Sequence, residues 1–190
     1  TQRRRYALHY AIENVMKHPQ GLQAGAAMAI RILHAYPAAC RERDAVQLPL
    51  HTAVSYGAPL QLVAALLEEF PKSIQIPDSS GYSPLAYACG CNLTEVEARP
   101  DVLDLLIKKY PAALHHADPE YVLLPVHWAC YDATQPLSVI ELMIERYPES
   151  LFSRDKDGKL PIMLAALRDT YVPQKYGVLP LIFAMLTDIH

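Results

Sequence analysis

Residues 48–53 read L-P-L-H-T-A, and three related hexads carry a proline at the same second position. They are S-P-L-A-Y-A at 83–88, L-P-V-H-W-A at 124–129 and L-P-I-M-L-A at 160–165, while Y-A-L-H-Y-A at 6–11 is a fifth copy that lacks the proline. Proline suits the first turn of a helix, because the N–H that it lacks has no partner there. Each hexad therefore predicts the start of a short helix.

Two more groups of prolines predict where a second, longer helix begins and ends in each copy. Pro59, Pro100 and Pro136 precede apolar residues at helical spacing and are expected at the first helical position. The other group follows an aromatic residue, and because proline disfavours helical backbone in the residue before it, these dipeptides predict helix ends. They are Tyr36-Pro37, Phe70-Pro71, Tyr110-Pro111 and Tyr147-Pro148.

An aspartate follows each of these helix ends and predicts a turn. These aspartates are Asp44, Asp78, Asp118 and Asp155. Hexad, second helix, aromatic-proline stop and turn form a unit, and the approximate units are 6–47, 48–82, 83–123, 124–159 and 160–190. A unit of this size cannot bury a core alone, so neighbouring units must stack. We therefore expect a single, mainly α domain over residues 1–190, built as a repeat solenoid of about five helix pairs.

The hexads L-P-L-H-T-A and L-P-V-H-W-A resemble the T-P-L-H-x-A signature of the ankyrin repeat, a β-turn followed by two helices. Gly57 falls where that family places the glycine after its first helix. The resemblance implies an ankyrin-like solenoid whose helix pairs are joined by turns or short β-hairpins. The units are longer than the family's roughly 33 residues, with additional residues around 19–25 and 91–99. Purely helical repeats of the tetratricopeptide type are the alternative, although their W-x-x-L-G-x-x-Y pattern is absent.

The same resemblance implies a non-catalytic scaffold or adaptor that binds a partner protein on its concave face. That face is formed by residues just before each hexad and two or three positions after its alanine. The predicted contact residues are Ser55, Tyr56, Tyr82, Tyr121, Leu123, Tyr131, Asp132 and Arg168. The tyrosines are the strongest candidates, because tyrosine offers a large amphipathic area and is enriched in interfaces.

His9, His51 and His127 could in principle form a metal site or an acid–base set. They occupy one position of the repeat, however, so stacking spreads them along neighbouring units instead of bringing them together. The ankyrin resemblance implies that this histidine hydrogen-bonds the backbone of its turn. Trp128 holds a position that we expect to face the neighbouring unit, with an indole N–H that needs a partner.

Cys40, Cys89, Cys91 and Cys130 are too few and too irregular for a disulfide framework, which favours reduced thiols in an intracellular, cytoplasmic protein. Cys89-Gly90-Cys91 also departs from the C-x-x-C pairs of zinc sites. The sequence lacks a nucleophile elbow, a Walker A loop, a dinucleotide fingerprint and a zinc-protease motif. We therefore expect no enzyme activity, no catalytic residues, no metal, no cofactor and no small-molecule substrate.

The net charge of −3, from 17 basic and 20 acidic residues, disfavours nucleic-acid binding. The longest apolar run, Val178 to Leu186, is too short for the roughly 20 residues of a membrane span. Within it, residues 179–186 are apolar nearly all round, whereas a terminal repeat needs a polar outer face. Either a partner covers this helix, which would make the chain a structural or assembly subunit of a larger complex, or the chain is a fragment of a longer array. The start at Thr1 instead of Met favours a fragment or a processed chain.

Overall fold

The computed structural model describes residues 7–16, 22–90, 99–132 and 135–171, together with positions 180, 182 and 184. These ranges contain nine α-helices and no β-strand, so the expected mainly α class is confirmed. The helices are α1 (Ala7–Met16), α2 (Leu22–Ala35), α3 (Pro49–Ser55), α4 (Leu60–Glu69), α5 (Pro84–Ala88), α6 (Pro100–Lys109), α7 (Pro125–Tyr131), α8 (Leu137–Arg146) and α9 (Pro161–Tyr171). Of the two connections expected between helix pairs, the described part of the chain uses turns and not hairpins.

The helices form two layers. The helices that begin at the hexads, which we call the first helices, contact one another in the order α1, α3, α5, α7 and α9; the helices between them are the second helices. The second helices do the same in the order α2, α4, α6 and α8, and α1, α3, α5 and α7 each also pack on the second helix that follows. A continuous core can therefore lie between the layers.

The third residue of each hexad anchors this core. Leu8, Leu50, Leu85 and Val126 are at most 3% exposed, and Ile162 is partly buried. The helices α4, α6 and α8 each add two pairs of buried positions one turn apart, such as Leu62-Val63 and Leu66-Leu67 of α4. Burying one such side chain stabilises the fold by about 1.5–3 kcal/mol, so the stripes of apolar residues account for the layer packing.

The hexad prolines begin their helices as expected, at Pro49, Pro84, Pro125 and Pro161. Of the second-helix prolines, Pro100 is the first helical residue, which the spacing predicted. Pro59 and Pro136 instead have extended backbone, with ψ near 150°, and act as N-caps, so the prediction is wrong there by one residue. Their carbonyls still accept the first helical N–H groups, which is the function of an N-cap.

The aromatic-proline dipeptides end the second helices, as predicted. Phe70, Tyr110 and Tyr147 leave the helical region with ψ of 74–77°, each directly after the last helical residue. The proline then begins a short 3₁₀ helix, which the sequence did not predict. These 3₁₀ helices are Pro37–Arg41, Pro71–Gln75, Pro111–His115 and Pro148–Phe152.

The four aspartates organise the turns between units, as predicted. Asp78 is typical: its Oδ1 accepts hydrogen bonds of 2.8 Å from the N–H groups of both Ser80 and Tyr82. Asp118 accepts three such bonds, including one of 2.7 Å from the N–H of Tyr121. Because each carboxylate satisfies its own turn, the turns keep their shape without strand pairing.

Neighbouring turns are joined in two different ways. Backbone hydrogen bonds link the Ser79 N–H to the Val46 carbonyl at 3.0 Å and the Lys156 N–H to the Tyr121 carbonyl at 2.9 Å. The turn between them has Pro119 at the equivalent position and therefore no N–H to donate. There Pro119 packs over Gly81, where a Cβ atom would lie only 2.5 Å from the proline Cγ.

No helix in the described ranges is long and apolar enough to cross a membrane. The inserted residues 91–98 and all but three positions of the apolar stretch 179–186 lie outside the described residues.

Candidate functional site

The histidines of two hexads hydrogen-bond the backbone at the start of their own helices, as the ankyrin resemblance implied. The Nδ1 atoms of His51 and His127 accept the N–H of Leu48 at 3.3 Å and of Leu124 at 3.1 Å, three residues earlier. The Nε2 atom of His127 also bonds to the Ser153 carbonyl at 3.1 Å, on the following turn. Each ring thus fixes the start of a first helix.

Burial lowers the pKa of all three hexad histidines. For His51 the pKa falls to about 4, and the charge of Asp78 opposes the shift only in part. The pKa values of His9 and His127 fall for the same reason, against the opposing effect of backbone carbonyls. The rings are therefore neutral hydrogen-bonding groups at neutral pH. Across the described residues, no group of three or more His, Cys, Asp or Glu side chains is arranged to hold a metal ion.

A groove of about 520 Å³ lies where the Asp118 turn, the Asp155 turn, α7 and α9 meet. We call it the tyrosine groove. It is lined by Tyr82, Glu120, Tyr121, Leu123, Trp128, Tyr131, Asp155, Lys156, Asp157, Lys159 and Leu164. Its size is within the range of pockets that hold small molecules or several residues of a peptide.

Two aromatic rings in edge-to-face contact form the inner wall of the groove, with two further rings behind them. Tyr82 and Trp128 meet edge to face, with centroids 6.1 Å apart and planes at 71°. Tyr82 also contacts Tyr87, which in turn contacts His51, both edge to face. The Tyr87 hydroxyl donates a 2.7 Å hydrogen bond to Asp78, so this row of rings is tied to a turn. Each such ring pair contributes about 0.5–1.5 kcal/mol beyond burial, which favours a fixed wall.

Two further tyrosines stand at the rim. Tyr121 on the Asp118 turn is 46% exposed, and Tyr131 at the end of α7 is 47% exposed. Trp128, one helical turn before Tyr131, is only 7% exposed, and its indole N–H has no hydrogen-bond partner among the described residues. The groove therefore combines a buried aromatic base with exposed aromatic contact area at its edge.

The charged groups of the groove come from the two turns. Lys159 and Asp157 form an ion pair at 2.8 Å, which raises the pKa of the lysine and lowers that of the aspartate. Asp155 uses its Oδ1 to accept the N–H groups of Asp157 and Lys159. Glu120 raises the pKa of the neighbouring Tyr121 through hydrogen bonding and its negative charge.

The structure brings together four of the eight predicted contact residues: Tyr82, Tyr121, Leu123 and Tyr131 all line the tyrosine groove. Tyr56 is half-buried at the end of α3 and outside the groove. The side chain of Arg168 lies outside the described residues.

Ser55 and Asp132 are not surface residues, in contrast to the expectation. Ser55 is 7% exposed and Asp132 is 5% exposed. Asp132 follows α7 with extended backbone, and its carboxylate accepts a 2.6 Å hydrogen bond from Gln135 while lying against Gly90. The end of the helix therefore turns this side chain inward, which a count of repeat positions does not reveal.

Several lining residues were missed. Trp128 contacts Tyr82, the last residue of the predicted unit 48–82, and it also forms part of the groove. The predicted contact residues include neither Glu120 nor the charged residues of the Asp155 turn. Their signal was available, since turn tips carry the contact residues of many repeat proteins.

Comparison of the chain with protein-family models and with curated proteins finds no match, so the functional proposal rests on the residues of the groove.

Proposed function

We propose that the chain is an ankyrin-like repeat solenoid that acts as a non-catalytic, intracellular protein-binding module and holds its partner in the tyrosine groove. The observation that carries the proposal is the convergence of Tyr82, Tyr121, Leu123 and Tyr131 on one groove. All four belong to the contact residues that the sequence predicts, and they come from three predicted units, 48–82, 83–123 and 124–159. Two layers of successively packed helices support the repeat architecture.

The chemistry of the groove suits a protein partner. Tyrosine and tryptophan dominate binding hot spots, because they bury much area while losing few rotatable bonds. Here Tyr121 and Tyr131 are nearly half exposed beside the buried ring of Trp128. An open, aromatic groove with polar turns at its rim can bury a partner side chain and surround it with hydrogen-bonding groups.

The assembly-subunit alternative needs the apolar C-terminal stretch to lie against another chain. Ile182, one of its described positions, is fully buried and belongs to the core of this chain. The chain itself therefore covers one side of this stretch, while its other described positions, Pro180 and Ala184, are exposed.

Site-specific photocrosslinking tests the proposal. The crosslinking amino acid p-benzoylphenylalanine would replace Tyr121 or Tyr131 in the groove, and Tyr36 as the control. Tyr36 is a tyrosine that is 43% exposed and outside the groove. After irradiation in native extract, we expect the same partner protein at both groove positions and not at position 36. Adducts that do not differ between groove and control, or no adduct at either groove position, would refute the proposal.

A further inference from the structure

We infer that the tyrosine groove selects an arginine side chain carried by an extended segment of the partner protein. This inference rests on the proposed function and specifies the chemistry of the partner. It follows from three properties of the groove: the angle between its aromatic rings, the balance of its charges and its size.

The aromatic rings form a corner and not a single plane. Tyr82 and Trp128 are inclined at 71°, and the exposed ring of Tyr131 lies one helical turn from the tryptophan. Ring faces attract cations, tryptophan most strongly. A guanidinium group is flat and weakly hydrated, so it stacks on such faces more readily than an ammonium group does.

The charges of the groove favour a cation. The lining contains three carboxylates, of Glu120, Asp155 and Asp157, and two ammonium groups, of Lys156 and Lys159. The Lys159 ammonium is already paired with Asp157 at 2.8 Å. Two carboxylates and one ammonium group then remain, so the net charge of these remaining groups is negative.

Those two carboxylates have capacity for a ligand. Glu120 is exposed and forms no ion pair with another described residue; its hydrogen bond with Tyr121 leaves further acceptor sites on the carboxylate. The Oδ1 atom of Asp155 accepts hydrogen bonds within its own turn, whereas its Oδ2 atom accepts no hydrogen bond from the described part of the chain. A guanidinium group donates two parallel hydrogen bonds to a carboxylate, which an ammonium group cannot match.

The size of the groove indicates a peptide and not an isolated ion. A volume of about 520 Å³ exceeds what one guanidinium group fills. Leu123 and Leu164 supply apolar lining beside the charged rim, where the residues flanking the arginine would pack. The occupant is therefore a segment of several residues with an arginine at its centre.

The chain contains a single tryptophan, Trp128, so its fluorescence reports directly on the groove. The probe is the peptide acetyl-Gly-Gly-Arg-Gly-Gly-amide, titrated into the millimolar range. Matched peptides carry citrulline, which has the shape of arginine without its charge, or lysine or leucine. We expect saturable binding of the arginine peptide, about threefold tighter than the citrulline peptide and weaker at higher salt.

A pair of variants tests whether the preference for the arginine peptide depends on Glu120. Glu120→Gln should weaken binding of the arginine peptide about threefold and leave the citrulline peptide unchanged. The control is Glu149→Gln, an exposed glutamate outside the groove, which should change neither. Equal binding of the arginine and citrulline peptides, tighter binding of the leucine peptide, or no response to any peptide would overturn the inference.

The two proposals fail separately. If photocrosslinking succeeds at Tyr121 and Tyr131 but the arginine peptide does not bind, the binding module stands and its selectivity for arginine is wrong. If the arginine peptide binds and no partner crosslinks, the protein-binding function is wrong.

Discussion

Replacing Gly81 by alanine should destabilise the protein more than the same replacement at Gly158. Both glycines have positive φ, 91° and 78°, where an L-residue costs about 1–2 kcal/mol relative to glycine. Alanine also restricts the unfolded chain, which offsets about 0.4–1 kcal/mol of that cost. At Gly158 an added Cβ meets no atom within 4 Å, so the backbone effect stands alone there and the expected loss is about 1 kcal/mol.

At Gly81 a packing conflict adds to this cost. The Cβ would lie 2.5 Å from Cγ and 2.8 Å from Cδ of Pro119, whereas ordinary carbon contacts are about 3.5–4.0 Å. The proline ring is rigid and the Asp118 carboxylate fixes its turn, so the two turns must separate by about 1 Å. Overpacking of this kind costs about 1–3 kcal/mol. The total loss expected for Gly81→Ala is therefore about 2–4 kcal/mol.

Urea unfolding, followed by circular dichroism and by the fluorescence of Trp128, measures both losses. The double variant Gly81→Ala/Pro119→Ala removes the two clashing ring carbons and should recover the excess of about 1–3 kcal/mol over Gly158→Ala. Equal losses for the two glycine variants, or no recovery in the double variant, would show that the turns do not pack as described.

Three further predictions concern stability. Unfolded His51 protonates near pH 6.5 and folded His51 near pH 4, so the unfolded chain binds more protons between these values. The free energy of unfolding should therefore fall as the pH drops through this window, by up to about 3 kcal/mol, and urea titrations of His51→Gln should show a shallower fall. Val122→Gly should raise the melting temperature, with a gain of about 0.5 kcal/mol, because this 45% exposed residue has φ of 59°, a backbone that β-branched residues disfavour. Ser83→Ala should cost about 1 kcal/mol in urea unfolding, because its Oγ accepts the Ala86 N–H at 3.1 Å and caps α5, whereas a fully stable variant would exclude this cap.

The sequence predicted the parts of the fold that local backbone rules determine. Proline restricts itself and the residue before it, so Tyr110-Pro111 identifies the end of α6 without knowledge of its surroundings. Asp118 and its equivalents mark turns for a similar reason, because the carboxylate bonds to N–H groups only a few residues away.

Features that depend on contacts between distant residues were harder to predict from the sequence. The turn at Asp118 has no glycine, and Val122 takes the positive φ that glycine has in other turns. The tyrosine groove joins Tyr82 to residues some 40 to 80 positions later in the chain, as far as Leu164. The side chain of Asp132 is buried because the backbone is extended after α7 and because Gly90 has no side chain to occupy the same space. The spacing of the hexads determines neither feature.

The two ways of joining turns place different constraints on future sequence change. Where the backbones of Ser79 and Lys156 make the hydrogen bond, any residue except proline preserves it, so these positions are open to substitution. Where Pro119 packs on Gly81, the contact requires the proline ring at position 119 and the lack of a side chain at position 81. In relatives of this chain, substitutions at positions 81 and 119 should therefore occur together, whereas substitutions at positions 79 and 156 should not be correlated with changes in the neighbouring turn.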